Sequence, residues 1–463
     1  MPAISNPPQF DPGLGLPPDQ LVLLRMVADT AAARSLPLYL VGGFVRDLLL
    51  GRPAADFDLV VEGDALKLAA SLALKYGGKV TIHEKFGTAK WYLKGTIFDD
   101  RISNIEYRVS ETDSRLPTPD FLDLISARSE TYKHPAALPT VRMGSLADDL
   151  RRRDFTINTL AVRLDGAHFG ELHDVLGGFD DLNQGLVRIL HPRSFVDDPT
   201  RLFRLVRYEA RYHFKTAKDT LALIPEAREC ISALSPQRVR HELDLILDEP
   251  DAALMLLRLN KLGLLKSIHP ALHFDRSMRR RFESAKNTSN PELSNYRISN
   301  IELSNDRVSN IESSNIEYPD LRWLLWLMTL SGREITSLNK RLHFTAPLLK
   351  SLLASSRLWA GLPAFARLKP SQCVERLDRL PLPAIIAVSL AAPRGKPKQA
   401  LENYMLKWRH IKPKTTGQDL KNLGLQPGPQ YQIILRKLRN AWLDEKIRDD
   451  REEQAFLMKL LNR

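Results

Sequence analysis

Few folds accommodate the stretch from Leu40 to Val61, LVGGFVRDLLLGRPAADFDLVV. It reads as a strand, a glycine turn, a short helix, a loop and a second strand, on which Asp56 and Asp58 lie one residue apart. Residues i and i+2 of a strand share a face, so the two carboxylates project side by side from the apolar rail continued by Leu59, Val60 and Val61. Adjacent carboxylates repel unless a cation lies between them, which makes a divalent metal with oxygen ligands the natural occupant. Upstream, Gly42 and Gly43 let a phosphate approach the backbone, and Arg46 supplies a cation. A phosphate cradle beside a metal site points to chemistry on a nucleoside triphosphate.

With 463 residues, 43% of them hydrophobic, the chain can bury several cores. Its two cysteines, Cys230 and Cys373, make neither a disulfide framework nor a zinc site, which suits a reducing compartment. The amino-terminal MPAISNPPQFDPG lacks the pattern of a signal peptide, and the longest apolar runs are too short to span a bilayer. A cytoplasmic protein with no membrane partner is therefore expected. The net charge is +12, and residues 391–463 carry 16 Lys and Arg against 8 Asp and Glu. That tail alone holds two thirds of the excess, which fits a polyanion partner such as RNA or DNA, and equally a solvated helical surface.

Helical periodicity over Asp19–Arg34 precedes a strand at Leu38–Val41. An Ala- and Leu-rich helix over Asp64–Tyr76 ends at Gly77-Gly78, and strands follow at Lys79–His83, Gly87–Leu93 and Phe121–Ala127. This alternation implies an α/β head. From His191 onward the pattern is helical, giving an all-α neck, body and tail. RISNIEYRVSETD (101–113) shares its wording with residues 292–318, and both polar repeats read as loop insertions. The expected organisation is an arm (1–18), a head (19–190) interrupted at 101–113, and a neck (191–265). A body (266–390) interrupted at 292–318 and a basic tail (391–463) follow.

The Asp-x-Asp spacing has decoys in Glu62/Asp64 and Glu242/Asp244, which read as surface charge. Asp123, in FLDLISARSETY, is the expected third carboxylate, because Leu122 and Leu124 point to the opposite face of its strand. Arg128 and Glu130 read as an ion pair bracing the site, and Asp47 as a brace of the glycine turn. Arg153, Asp154 and Asn158 group a donor, an acceptor and an amide suited to triphosphate and ribose recognition. The preceding stretch, Tyr132–Leu146, reads as a loop that can cover the site.

In DDPTRLFRLVRYEARYHF (197–214), Asp198, Arg201, Arg204 and Arg207 recur every three residues along a polar helical stripe. Asp198 beside Arg201 sets an acceptor next to donors. Cytosine and adenine present an amino donor beside a ring acceptor, whereas guanine and uracil present the reverse order. The pair thus suits CTP and ATP, with Arg204 and Arg207 left for phosphates.

Taken in order, GGFVRDLLLGRPAADFDLVVEG, FLDLISARSETY, DLRRRDFTINTLA, ELHDVLGGFDDL, DDPTRLFRLVRYEARYHF and LSPQRVRHELDLIL resemble the motifs of bacterial class II tRNA nucleotidyltransferases, the CCA-adding enzymes and their poly(A) polymerase relatives. The resemblance covers about residues 36–265, and TTGQDLKNLGLQPGPQYQIILRKL in the tail looks like the same family's carboxy-terminal segment. It implies an α/β nucleotidyltransferase head followed by the helical neck, body and tail. It also implies template-independent, Mg²⁺-dependent addition of C, C and A to the 3′ end of tRNA. A two-metal site at Asp56 and Asp58, assisted by Asp123, would serve catalysis. Gly43, Arg46, Arg153, Asp198, Arg201, Arg204 and Arg207 match nucleotide-binding positions, with Asp198 and Arg201 reading the base. The chain departs from the family pattern at Asp197, where Glu is usual, and at Thr159, where Ala is usual. Three alternatives follow from the same motifs: an A-adding partial enzyme, a poly(A) polymerase, and a non-catalytic RNA-binding protein. The long Tyr132–Leu146 stretch argues against a CC-only enzyme.

Overall fold

Strand β1 (Leu38–Val41) is buried at all four positions, and in β2 (Asp58–Val61) only Asp58 reaches solvent. Such continuous apolar runs need cover on both faces. The computed structural model describes residues 16, 18–53, 57–96, 119–132, 134–137, 139–286 and 318–461. Asp56, the 101–113 insertion, all but the last residue of the 292–318 insertion and most of the amino-terminal arm lie outside the described residues. The chain divides into two compact units, Met1–Leu234 and Ser235–Arg463.

In the first unit, helix α1 (Pro18–Ala32) packs on β1, and α3 (Ala65–Tyr76) packs on β3 (Gly77–His83), β4 (Thr88–Thr96) and β5 (Phe121–Ser126). Helix α2 (Gly43–Leu49) follows β1 directly. Asp64 starts α3 by accepting from the amides of Leu66 and Lys67, and Gly77, at φ 82°, ends it. Tyr39, Val41 and Val60 are buried against Leu146 and Leu150 of α4 (Leu146–Arg151). Each such aliphatic residue contributes about 1.5–3 kcal/mol when fully buried.

The seven-stranded sheet has the order β3-β4-β5-β2-β1-β8-β9, where β8 is Ala161–Arg163 and β9 is Glu171–His173. These two short strands are not legible in the sequence, because three residues cannot display a period. Their neighbours are antiparallel throughout; the β2–β5 pair is parallel. The stretch Tyr132–Leu146 is not simply a loop: β7 (Thr140–Met143) pairs antiparallel with β6 (Arg128–Thr131). Backbone pairing with a neighbour made a strand of a four-residue segment whose own side chains are mostly exposed.

The second unit is helical among its described residues, from Pro236–Asp248 to Asp450–Leu461. Trp323 and Trp326 stack with centroids 5.1 Å apart at its core. Within the tail, a helix runs over Pro429–Leu443 and the chain turns away where Glu445 adopts φ 56°. Buried Glu453 joins the tail segments by accepting from the amides of Lys414 and Thr415 and from the Trp442 indole. Of the two decoy pairs, Asp64 is surface charge, its side chain 40% exposed beside Lys67, whereas Glu62 and Asp244 are half-buried and Glu242 is buried. Asp64 caps α3, Glu62 accepts from the Leu146 amide, Glu242 is buried, and Asp244 binds Arg240 and Trp323. Among the described residues no helix is long and apolar enough to cross a membrane.

Candidate active site

The turn between β1 and α2 requires glycine. Gly42 sits at φ 74°, and a Cβ there would lie 2.3 Å from Nη1 of Arg153. The backbone and the Arg153 guanidinium thus approach closely beside a cleft of about 360 Å³ that Gly43 and Arg153 line. Of the residues anticipated from sequence, Gly43, Asp58, Arg153, Asp154, Asn158, Asp198, Arg201 and Arg204 line this cleft. Four further lining residues, Glu130, Tyr132, Arg152 and Tyr208, were not among the predicted binding residues, although Glu130 was expected as a brace.

Asp58 and Asp123 are direct partners across the parallel β2–β5 ladder, so their carboxylates share one face. Alternation along β5 buries Leu122, Leu124 and Ser126 on the other face. Lys90 is the partner of Asp123 on β4, and its Nζ lies 3.5 Å from the Asp123 carboxylate. Nothing in the sequence pairs Lys90 with an acid 33 positions away; only the register does. Among the described residues, no three potential metal ligands cluster, and Asp56 lies outside them. Two adjacent hard-oxygen donors nonetheless fit a magnesium-type ion.

A chain of hydrogen bonds links α2 to α5 (Arg201–Tyr212). Arg46 clamps Asp47 with Nε and Nη2 at 2.9 and 2.8 Å and donates to the Asn158 side chain. Asn158 donates to Asp154 Oδ1 at 2.7 Å, and Arg204 Nε donates to Asp154 Oδ2 at 2.7 Å. The four-residue spacing of Asp154 and Asn158 suggests one face of a helix; the two side chains do meet, but across an extended Phe155 and a 3₁₀ turn at Thr156–Asn158 and not on an α-helix. Burial pushes the Asp154 carboxyl up, but Arg204 and Asn158 outweigh it and hold the group below the ordinary carboxylate range.

Arg46 is 4% exposed, with its guanidinium 4.4 Å from the Tyr212 ring centroid and 5.2 Å from that of Tyr208. The two tyrosines, four apart on α5, stack on each other. Burial lowers the Arg46 pKa, and Asp47 with the two phenols raises it to a net increase. Arg46, Gly42, Asp123 and Arg207 stand outside the cleft lining.

Asp198 precedes α5 and accepts from the Thr200 amide and hydroxyl at 3.1 and 2.7 Å. Arg201 is buried; its Nη2 donates to the Arg152 carbonyl at 2.7 Å, and its Nη1 has no hydrogen-bond partner among the described residues. The Tyr132 phenol, desolvated and bonded to Glu130, is pushed up to about 12, so it stays a donor at neutral pH.

A mixed sheet that presents paired carboxylates beside an arginine-lined cleft is the layout of a nucleotidyltransferase. Residues 38–188 match the family described as Poly A polymerase head domain, and residues 213–275 match that described as Probable RNA and SrmB- binding site of polymerase A. An A-adding tRNA nucleotidyltransferase of Halalkalibacterium halodurans is 31% identical over 96% of this chain and 93% of its own length. The chain belongs to the tRNA nucleotidyltransferase family. A solved CCA-adding enzyme in an apo form superposes with a TM-score of 0.79 at 28% identity, covering 96% of this chain and 97% of that one. The Thermotoga maritima CCA-adding enzyme complexed with tRNA gives 0.73 at 26% identity, covering 96% and 97%.

Proposed function

We propose that this tRNA nucleotidyltransferase adds C, C and A to the 3′ end of tRNA from CTP and ATP, with release of pyrophosphate. The observation that carries the nucleotide choice is Arg201. Its buried guanidinium is held by the Arg152 carbonyl, keeps an Nη1 unsatisfied among the described residues, and lines the cleft together with Asp198. A buried donor without a partner is costly, so a base acceptor placed there recovers that cost. The Asp198 carboxylate then receives the exocyclic amino group of cytosine or adenine and disfavours guanine and uracil.

In this reading Arg153 and the exposed side of Arg204 meet the triphosphate, while Asp154 and Asn158 position them and the ribose. Arg46 acts as a strut: its donors are committed to Asp47 and Asn158. Asp58 and Asp123, with Asp56, would hold Mg²⁺. A divalent ion on these carboxylates supplies Lewis acidity towards the attacking 3′-hydroxyl and the α-phosphate. The basic tail would hold tRNA at its acceptor stem and elbow through phosphates, with affinity that falls as salt rises. Such a reaction belongs in the cytoplasm.

A second reading, addition of the terminal A alone, is favoured by the full-length similarity to an A-adding enzyme. Purified protein incubated with Mg²⁺ and tRNAs ending before CCA, after C and after CC separates the two. Stepwise C, C and A addition followed by arrest supports the main reading. Extension of only the CC end by one A replaces it with the second, a long A tail points to a poly(A) polymerase, and no product refutes nucleotidyl transfer.

A further inference from the structure

Glu130, Tyr132, Arg152 and Arg201 line the nucleotide cleft and also a neighbouring cavity of about 220 Å³, so they form the partition between the two. Glu130 is the joint of that partition. Its Oε1 accepts from Arg128 at 3.3 Å and from Arg152 at 3.2 Å, and its Oε2 accepts from Tyr132 at 3.1 Å. Arg152 is held from its other side by Asp149, at 2.7 and 2.9 Å. The backbone carbonyl of the same Arg152 receives Nη2 of Arg201.

We propose that Glu130 is a positioning residue for nucleotide selection, orienting Arg201 through Arg152. The proposal rests on the reading that Asp198 and Arg201 choose the base. Arg128 and Arg152 converge on one carboxylate oxygen, and two guanidinium groups that close repel each other unless that charge is present. Neutralising Glu130 drives Arg152 away from the β6–β7 hairpin. The carbonyl that sets the plane of Arg201 moves with it. Among the described residues the guanidinium of Arg201 is held by this carbonyl while its buried Nη1 finds no partner, so its angle to the base edge follows.

The test compares wild type, Glu130→Gln, Glu130→Asp, Arg152→Ala and Arg201→Ala in the full chain. kcat and KM are measured for CTP, ATP, GTP and UTP on tRNAs lacking part of the CCA end. Glu130→Gln is expected to lower the preference for correct over incorrect nucleotides about tenfold, through KM for CTP and ATP. Glu130→Asp, which restores the charge, should recover part of it, and Glu130→Gln with Arg152→Ala should lose no more than the larger single effect. A uniform slowing of all four nucleotides with a lowered melting temperature overturns the proposal and leaves Glu130 a purely structural brace. If Arg201→Ala abolishes the preference while Glu130→Gln and Glu130→Asp leave it intact, the proposal fails alone. If Arg201→Ala leaves the preference unchanged, the base-reading assignment fails with it.

Discussion

Replacing Asp154 by Asn removes one charge and little volume, which isolates the electrostatic role of the residue on which the helix α5 network converges. The carboxylate is 8% exposed and receives Arg204, the Asn158 amide and the Phe155 backbone amide at 2.7, 2.7 and 2.9 Å. An asparagine oxygen can satisfy one side of this set, but its NH₂ then faces a donor. Breaking a buried ion pair costs about 3–5 kcal/mol. Here the Arg204 side chain is 37% exposed and regains water, so the lower figure of about 2–3 kcal/mol is expected. For a unit of this size that is a fall of about 4–12 °C in melting temperature. Thermal unfolding of the full chain followed by circular dichroism measures it. The pH dependence gives a second reading. Because the folded carboxyl lies below its unfolded value, its contribution is present above about pH 4 and disappears as pH falls through the folded pKa. Asp154→Asn should therefore be destabilised at pH 7 and converge with wild type in acid. A melting temperature within a degree of wild type at pH 7, with an unchanged nucleotide KM, would refute the reasoning.

Three further outcomes follow. Gly42→Ala should lose about 1–3 kcal/mol, because φ 74° is strained for any side chain, and weaken nucleotide binding, because the Arg153 guanidinium must move; melting and KM measurements check both. Asp123→Asn should cut incorporation on the order of 100-fold. Its pair with Lys90 is about one-third exposed, so stability should change by less than about 1 kcal/mol, and a parallel loss of folding would sink the catalytic assignment. Glu453→Gln should destabilise the tail by about 2–3 kcal/mol. Burial raises the Glu453 carboxyl, but Thr415, Trp442 and Lys414 outweigh it to a net lowering, so that stability is present above about pH 4 and lost below; acid titration of the melting temperature detects the difference.

Local chemistry made much of this chain legible. Leu38–Val41, Leu59–Val61 and the helix ending at Gly77 follow from apolar runs and glycine punctuation, which act within a few residues. Asp154 and Asn158 were paired by their spacing, and the α5 stripe by its three-residue period. What the sequence left open are properties of register and long-range approach. The third strand residue in the acidic row, Lys90, faces Asp123 only because β4 and β5 pair as they do. The hairpin strand Thr140–Met143 is too short for its alternation to stand out, lies mostly exposed, and pairs with β6. Arg201, proposed to read the base, donates to a carbonyl 49 residues away, a partner its own stretch of sequence does not reveal. Sequence determined which groups this protein can bring to a nucleotide, because side-chain chemistry is local. Tertiary structure alone decided which of them face the cleft and which brace it, because that depends on partners that backbone pairing brings together.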